Sequence, residues 1–126
     1  MREPDHDVQR HLPLTPLSFE ILLSLADRPR HGYGIIKEAE ERSGQAFASS
    51  TGTLYLAIQR LHKKELLAVV PTPGGKGSRG RTYELTELGR QVAAAEARRL
   101  AARVRDAQRK ALLADEAPAD TGRARG

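Results

Sequence analysis

Between residues 71 and 80 the chain reads Pro-Thr-Pro-Gly-Gly-Lys-Gly-Ser-Arg-Gly. No regular element fits such a stretch, because the prolines lack backbone donors and the glycines lose the most conformational freedom on ordering. Two short β-compatible runs flank it, Leu67-Ala68-Val69-Val70 and Thr82-Tyr83-Glu84-Leu85. Two strands joined by a turn-rich tip make a hairpin. The rest of the fold must therefore come from the segments on either side.

Those segments are helical in pattern. Thr15-Pro16 supplies an N-cap and a proline at the first helical position, and Leu17, Ile21, Leu22 and Leu25 follow at helical spacing. Pro29 disfavours helical geometry at Arg28, so this helix is expected over about 15–27. His31-Gly32-Tyr33-Gly34 leads into a second helix with Ile35, Ile36 and Ala39 inward, Glu38, Glu40, Glu41 and Arg42 solvated, and Gly44 just past its end. Ser49-Ser50-Thr51 can cap a third helix over 50–65, where Leu54, Ile58 and Leu61 repeat at i, i+4 and i+7. After the hairpin, residues from Thr86 to about Leu113 are rich in helix formers, with Thr86 as N-cap and Gly89 as a mild interruption.

Helix, helix, helix, hairpin, helix is the order of a winged helix-turn-helix followed by a long C-terminal helix. The fold class expected is mainly α with a small β-hairpin. Its divisions are a flexible arm or frayed helix over 1–13, the winged domain over 14–85, the C-terminal helix over 86–113 and a disordered tail over 114–126.

In helix-turn-helix folds the second helix of the pair enters the DNA major groove. Here that helix is 50–65. With Leu54, Ile58 and Leu61 inward, Gly52, Leu56, Gln59, Arg60 and Lys63 fall on the outer side. That face offers hydrogen bonds and charge to bases and phosphates, and an apolar contact to a thymine methyl. The hairpin tip adds Lys76, Arg79 and Arg81 with no acid between them. Flexible glycines let such cations follow a phosphate backbone or enter a minor groove. The net charge of +5, from 21 Lys+Arg against 16 Asp+Glu, suits a polyanionic partner.

Other classes fit less well. Gly74-Gly75-Lys76-Gly77-Ser78 lacks the spacing and following helix of a nucleotide P-loop. His6, His11, His31 and His62 show no metal-ligand spacing, and no Ser-His-Asp or Cys-His set is visible, so neither enzyme, metal nor cofactor is expected. With no cysteine there is no disulfide. No apolar run approaches a membrane span, and residues 1–16 have no apolar signal-peptide core, so the expected location is cytoplasmic.

Three patches resemble the PadR family of transcriptional regulators. They are Leu17 to Asp27 followed by His31-Gly32-Tyr33-Gly34-Ile35, then Ser50-Thr51-Gly52-Thr53-Leu54-Tyr55 with Leu61, then Arg81-Thr82-Tyr83-Glu84-Leu85-Thr86 with Gly89. They occur in the right order over residues 14–90. The resemblance implies a homodimeric DNA-binding regulator, commonly a repressor, and a two-fold dimer would meet a near-palindromic double-stranded operator. It places Tyr33 near the phosphate backbone and Thr51, Gly52, Thr53 and Tyr55 at the groove, with Ser50 opening that set. Tyr33 and Tyr55 have a competing role as half-buried packing residues, and Tyr83 reads as core. Gly52 early in a helix is explained by close approach of backbone to DNA, or by a frayed first turn.

Two departures stand out. Leu56 occupies a position where the family often has proline, and Glu65-Leu66 stand where it often has glycine before the wing strand. These bear on base preference and on the turn into the wing.

In the last helix, Ala93, Ala97, Leu100, Val104, Ala107 and Ala111 alternate in steps of four and three, a heptad seam that Leu88 and Val92 would widen. It suits a second copy of the chain, or packing back on the chain's own domain. Family members also bind planar small molecules near the dimer interface, so an effector of unspecified identity is a further expectation. The alternative to a DNA-binding regulator is a winged helix that binds protein and has no operator.

Overall fold

The structure is a computed structural model that describes residues 4–44, 51–71 and 81–114. It separates into two compact units, residues 1–96 and 97–126. The elements are α1 (Pro4–Gln9), α2 (Pro16–Ser24), β1 (Arg30–His31), α3 (Gly32–Ser43), α4 (Thr51–Lys63), β2 (Leu67–Val70), β3 (Thr82–Leu85) and α5 (Glu87–Arg109). The expected order is present as α2, α3, α4, the β2–β3 hairpin and α5, and the fold is a winged helix. One element, β1, was not foreseen, and α1 lies in the segment expected as a mobile arm or a frayed helix.

Helix α2 starts as its sequence dictates. The Thr15 hydroxyl accepts from the Ser18 amide at 3.0 Å, and Pro16 occupies the first turn, where no amide donor is needed. It stops earlier than residue 27. The Leu25 and Ala26 amides tighten onto Leu22 and Leu23 at 3.1 Å, which closes the helix before the Pro29 restriction acts. Helix α3 ends at Gly44, whose φ of 66° is the left-handed geometry glycine tolerates best.

Between these helices, Arg30 and His31 form a third strand, which pairs antiparallel with β3 in the register Arg30↔Tyr83 and His31↔Thr82. The sheet order is β1-β3-β2, with Val69 opposite Tyr83 on the hairpin side. Residues 1–13, expected to be mobile or frayed, include a short helix whose Val8 is buried in the common core. Val8 and Leu12, four residues apart in an otherwise polar segment, are too few to establish a period, so only their tertiary contacts reveal them. That core gathers Ile21, Leu22, Leu25, Ile35, Ile58 and Leu61 with Leu66, Leu67, Tyr83 and Val92.

Glu38 and Arg42 are not simply solvated. The Arg42 guanidinium donates to the Glu20 carboxylate at 2.8 Å, to Glu38 at 3.2 Å and to the buried Ser24 hydroxyl at 2.9 Å. Arg30 donates to the Ser24 carbonyl at 2.7 Å and pairs with Glu38 at 3.2 Å, its side chain only 15% exposed. The two arginines thus join α2 to α3 through a shared carboxylate. Glu96 of α5 is also buried, and its carboxylate accepts from the Leu14 amide at 3.4 Å.

The turn from α4 into β2 is the tightest join. Leu66 N–H reaches the Leu61 carbonyl at 3.0 Å and Glu65 N–H the His62 carbonyl at 2.9 Å, the two bonds of a Schellman C-cap. Glu65 occupies the left-handed position with φ of 67°. The departure from glycine therefore leaves the geometry intact and adds strain. Thr86 locks the turn to α5: its hydroxyl donates to the Glu65 carbonyl at 2.7 Å and accepts from Gly89 N–H at 2.9 Å, and its own amide donates to the Leu66 carbonyl at 3.1 Å. Thr86 is thus the N-cap of α5. Gly89 is no mere interruption, since a Cβ there would stand 2.0 Å from the Leu66 carbonyl oxygen.

Two predictions follow from this join. Gly89→Ala sets a methyl group against the Leu66 backbone, and should lower unfolding free energy by about 2–4 kcal/mol in denaturant titration. A loss below about 0.5 kcal/mol would contradict the packing. Glu65→Gly should instead raise stability, by up to about 1 kcal/mol, because it removes the left-handed penalty while keeping both capping bonds. A lowered melting temperature for Glu65→Gly would show that the turn is not strained.

Candidate nucleic-acid interface

Helix α4 divides cleanly along its length. Leu54, Ala57, Ile58 and Leu61 are buried at i, i+3, i+4 and i+7. Gly52, Leu56, Gln59, Arg60 and Lys63 are exposed, as the periodicity required, and Thr51, Thr53 and Tyr55 are exposed with them. No Asp or Glu occurs between Thr51 and Lys64. Leu56, Gln59, Arg60 and Lys63 form one stripe and, with His62, line an open hollow of about 430 Å³. Lys64, also exposed, extends the cationic end beyond the residues picked out from sequence.

The tyrosines are arranged differently from one another. Tyr33, the second residue of α3, is 65% exposed. Tyr55 is 38% exposed because its ring lies over Gly32, where a Cβ would come within 2.7 Å of Tyr55 Cε1. Gly32 is thus a seat for the Tyr55 ring, joining the start of α3 to the first half of α4. Tyr55 has the packing role and an exposed edge at once, and Tyr83 is core as expected.

At the wing, Arg81 is exposed directly before β3. The neighbouring Thr82 hydroxyl lies 3.2 Å from His31 Nδ1, a contact that sequence reading missed and that ties β1 to the wing. Ser50, Lys76 and Arg79 lie outside the described residues.

Four of the expected seam residues, Leu88, Val92, Ala93 and Ala111, stand elsewhere in the structure. Val92 is fully buried in the chain's own core, and Leu88 and Ala93 pack against that core, so this stripe of α5 is already covered. Ala111 lies beyond the end of α5, with φ of 64° in a left-handed cap. In the second unit, Ala97 and Val104 are exposed and Leu100 and Ala107 half-buried. Arg103 and Arg109 both pair with Asp106, and the Arg103 hydrogen bond holds that carboxyl below its ordinary pKa. Two of the helix's cations are therefore partly neutralised by a local carboxylate.

Among the described residues no group of three or more His, Cys, Asp or Glu could hold a metal ion. No described helix is long and apolar enough to cross a membrane.

The transcriptional regulator PadR-like family matches residues 21–95, which run from α2 into α5 and include both the α4 face and the wing. The chain belongs to this family. PadR-like regulators are thus the frame for the α4 surface, and the family is one of transcriptional regulators. An uncharacterized protein X of Lysinibacillus sphaericus is 33% identical over 70 residues, 56% of this chain and 64% of that protein. An uncharacterized 37.1 kDa protein in a transposon of Streptomyces fradiae is 37% identical over 81 residues, 64% of this chain but 22% of that protein. The PadR-like chain thus spans less than two thirds of either curated relative. Among solved structures, a PadR family transcription regulator from Clostridium difficile superposes with a TM-score of 0.61 at 24% identity, covering 79% of this chain and 100% of that one.

The Gly32–Tyr55 seat is open to a double-mutant cycle. Gly32→Ala should destabilise the wild-type background by about 1 kcal/mol, the scale at which coupled neighbours interact. With Tyr55→Ala already present, the same change should be neutral or stabilising, since alanine is a better helix former than glycine. Equal effects in both backgrounds would show that the two residues are not coupled.

Proposed function

We propose that this PadR-like chain is a sequence-specific DNA-binding regulator, a homodimeric repressor acting in the cytoplasm on a near-palindromic operator. The observation that carries the reading is the acid-free outer face of α4, presented by a helix whose opposite side is wholly committed to the core. Such a face can enter a major groove and leave no carboxylate against phosphate. Gln59 offers a bidentate amide to a base edge, Arg60 and Lys63 offer charge, and Tyr33 offers a phenol to a phosphate. Gly52 and the exposed Thr51 and Thr53 allow the start of α4 to approach closely. Lys76, Arg79 and Arg81 supply wing cations for the phosphate backbone.

A two-fold pair through the uncovered stripe of α5, with Ala97, Leu100, Val104 and Ala107, would present two such helices. Half-sites would then lie about 34–36 Å apart, one helical turn. Release by a small molecule belongs to this reading as well.

The test is a mobility shift with the protein's own upstream DNA across a range of salt. Binding should weaken steeply with salt, by about 10³-fold or more between 50 and 200 mM if about six phosphates are contacted. Lys76→Ala and Arg79→Ala should each weaken binding to many sequences alike, whereas Gln59→Ala should change which sites are preferred. Uniform losses from both kinds of change would contradict this division of labour. No shift even at low salt would favour a protein-binding module.

A further inference from the structure

Every large aliphatic side chain in the described parts of α1 to α4 is buried or half-buried except one, Leu56, which is 47% exposed. It does not lie at a helix end or beside other exposed aliphatics. It sits in the middle of α4, on the stripe that continues to Gln59, Arg60 and Lys63, and lines the same open hollow with them. Nothing in the chain's own core requires it there, since Leu54, Ala57, Ile58 and Leu61 complete the inner face. The immediate surroundings are hydrogen-bond donors and cations, which would suit an anionic, polar surface that carries an isolated apolar group.

The major groove of DNA has that character. Among the base edges it presents acceptors and donors throughout, and a single kind of apolar projection, the 5-methyl group of thymine. We propose that Leu56 is a specificity-determining residue that reads a thymine 5-methyl group, with Gln59, one turn along the same stripe, reading a neighbouring base edge. The inference rests on the DNA-binding reading above and deepens it. A leucine at the centre of the face desolvates the methyl group without forming hydrogen bonds. It therefore discriminates thymine from cytosine by an apolar contact, while Arg60 and Lys63 hold the register through phosphates.

The experiment starts from duplexes that the wild-type chain selects from a random-sequence pool. Each thymine of the selected site is then replaced by deoxyuridine, which removes the methyl group and changes no hydrogen-bonding atom. Wild-type protein should lose about fourfold in affinity at one position of the site, the worth of one buried methyl group. Leu56→Ala should bind the unmodified duplex more weakly and lose its sensitivity to uracil at that position. Leu56→Met, which keeps an apolar side chain of similar reach, should retain it. Because Leu56 is exposed, both variants should melt like the wild type, so a binding change cannot be assigned to unfolding.

The proposal is overturned if no uracil substitution weakens wild-type binding, or if the same position stays sensitive in Leu56→Ala. Binding to duplex without selection of any sequence would also overturn it. Failure of the wild-type chain to bind any duplex at low salt would instead sink the DNA-binding reading on which the proposal rests. The two failures are therefore distinguishable.

Discussion

The contact between Gly89 and the Leu66 carbonyl sets the geometry on which the first unit depends. Three segments meet there: the end of α4, the start of β2 and the first turn of α5. The Glu65 and Leu66 carbonyls have left the α4 ladder, and both are taken by Thr86. An unpaired carbonyl in such a place would cost about 1–3 kcal/mol, so the threonine does more than start a helix. It satisfies the outgoing backbone of one helix while capping the next. The missing side chain at Gly89 lets the two backbones close to contact. With that contact made, Leu66 and Leu67 are directed into the core and the wing leaves α4 at a defined angle.

A second constraint acts at the other end of the same unit. Arg30 and Arg42 bridge α2 and α3 through Glu20, Glu38 and the buried Ser24. Ion pairs of this kind are poor sources of stability by themselves when exposed, and breaking one partner of a shielded set leaves the others uncompensated. Their clearer consequence is geometric. Arg30 is also a strand residue paired with Tyr83, so the network that joins the helices is continuous with the sheet. His31, the next residue, contacts Thr82 across the same pairing. The start of α3, with Gly32 and Tyr33, is thereby placed relative to the wing by backbone bonds and not by loop packing.

What could be read from sequence was local. Thr15, Gly44 and Thr86 end or begin helices through neighbours a few residues away, and each was legible. The inner stripe of α4 was legible because one face of a helix repeats, and the outer stripe followed by subtraction. What escaped was carried by distant partners. The Leu14–Glu96 bond links residues 82 apart, and neither residue signals it. A two-residue strand such as β1 has no alternation to detect. The seam on α5 was misread at Val92 for a related reason. A heptad pattern reports that a stripe is apolar, but not whether the chain's own core or another surface covers it. Gly89 looked like a weak point in a helix because its reason, the Leu66 carbonyl, lies on another element.

Rigid support of α4 matters for the function proposed. Reading a base edge needs side chains held to a fraction of an ångström, and a helix held only along its inner face could still roll or slide. Here α4 is restrained in three independent ways. Its inner leucines and isoleucine are fully packed, its C-terminal end is clamped by the Schellman turn and Thr86, and Tyr55 is seated on Gly32 from the side. The inner face, the C-terminal clamp and the Tyr55 seat do not involve Leu56, Gln59, Arg60 or Lys63. Leu56, Gln59, Arg60 and Lys63 are thus free to vary with the sequence to be recognised while the scaffold stays constant. That separation explains why the chain can depart from its family at Leu56 without altering the fold. At Glu65, which belongs to the clamp, the departure instead leaves a left-handed residue strained in place.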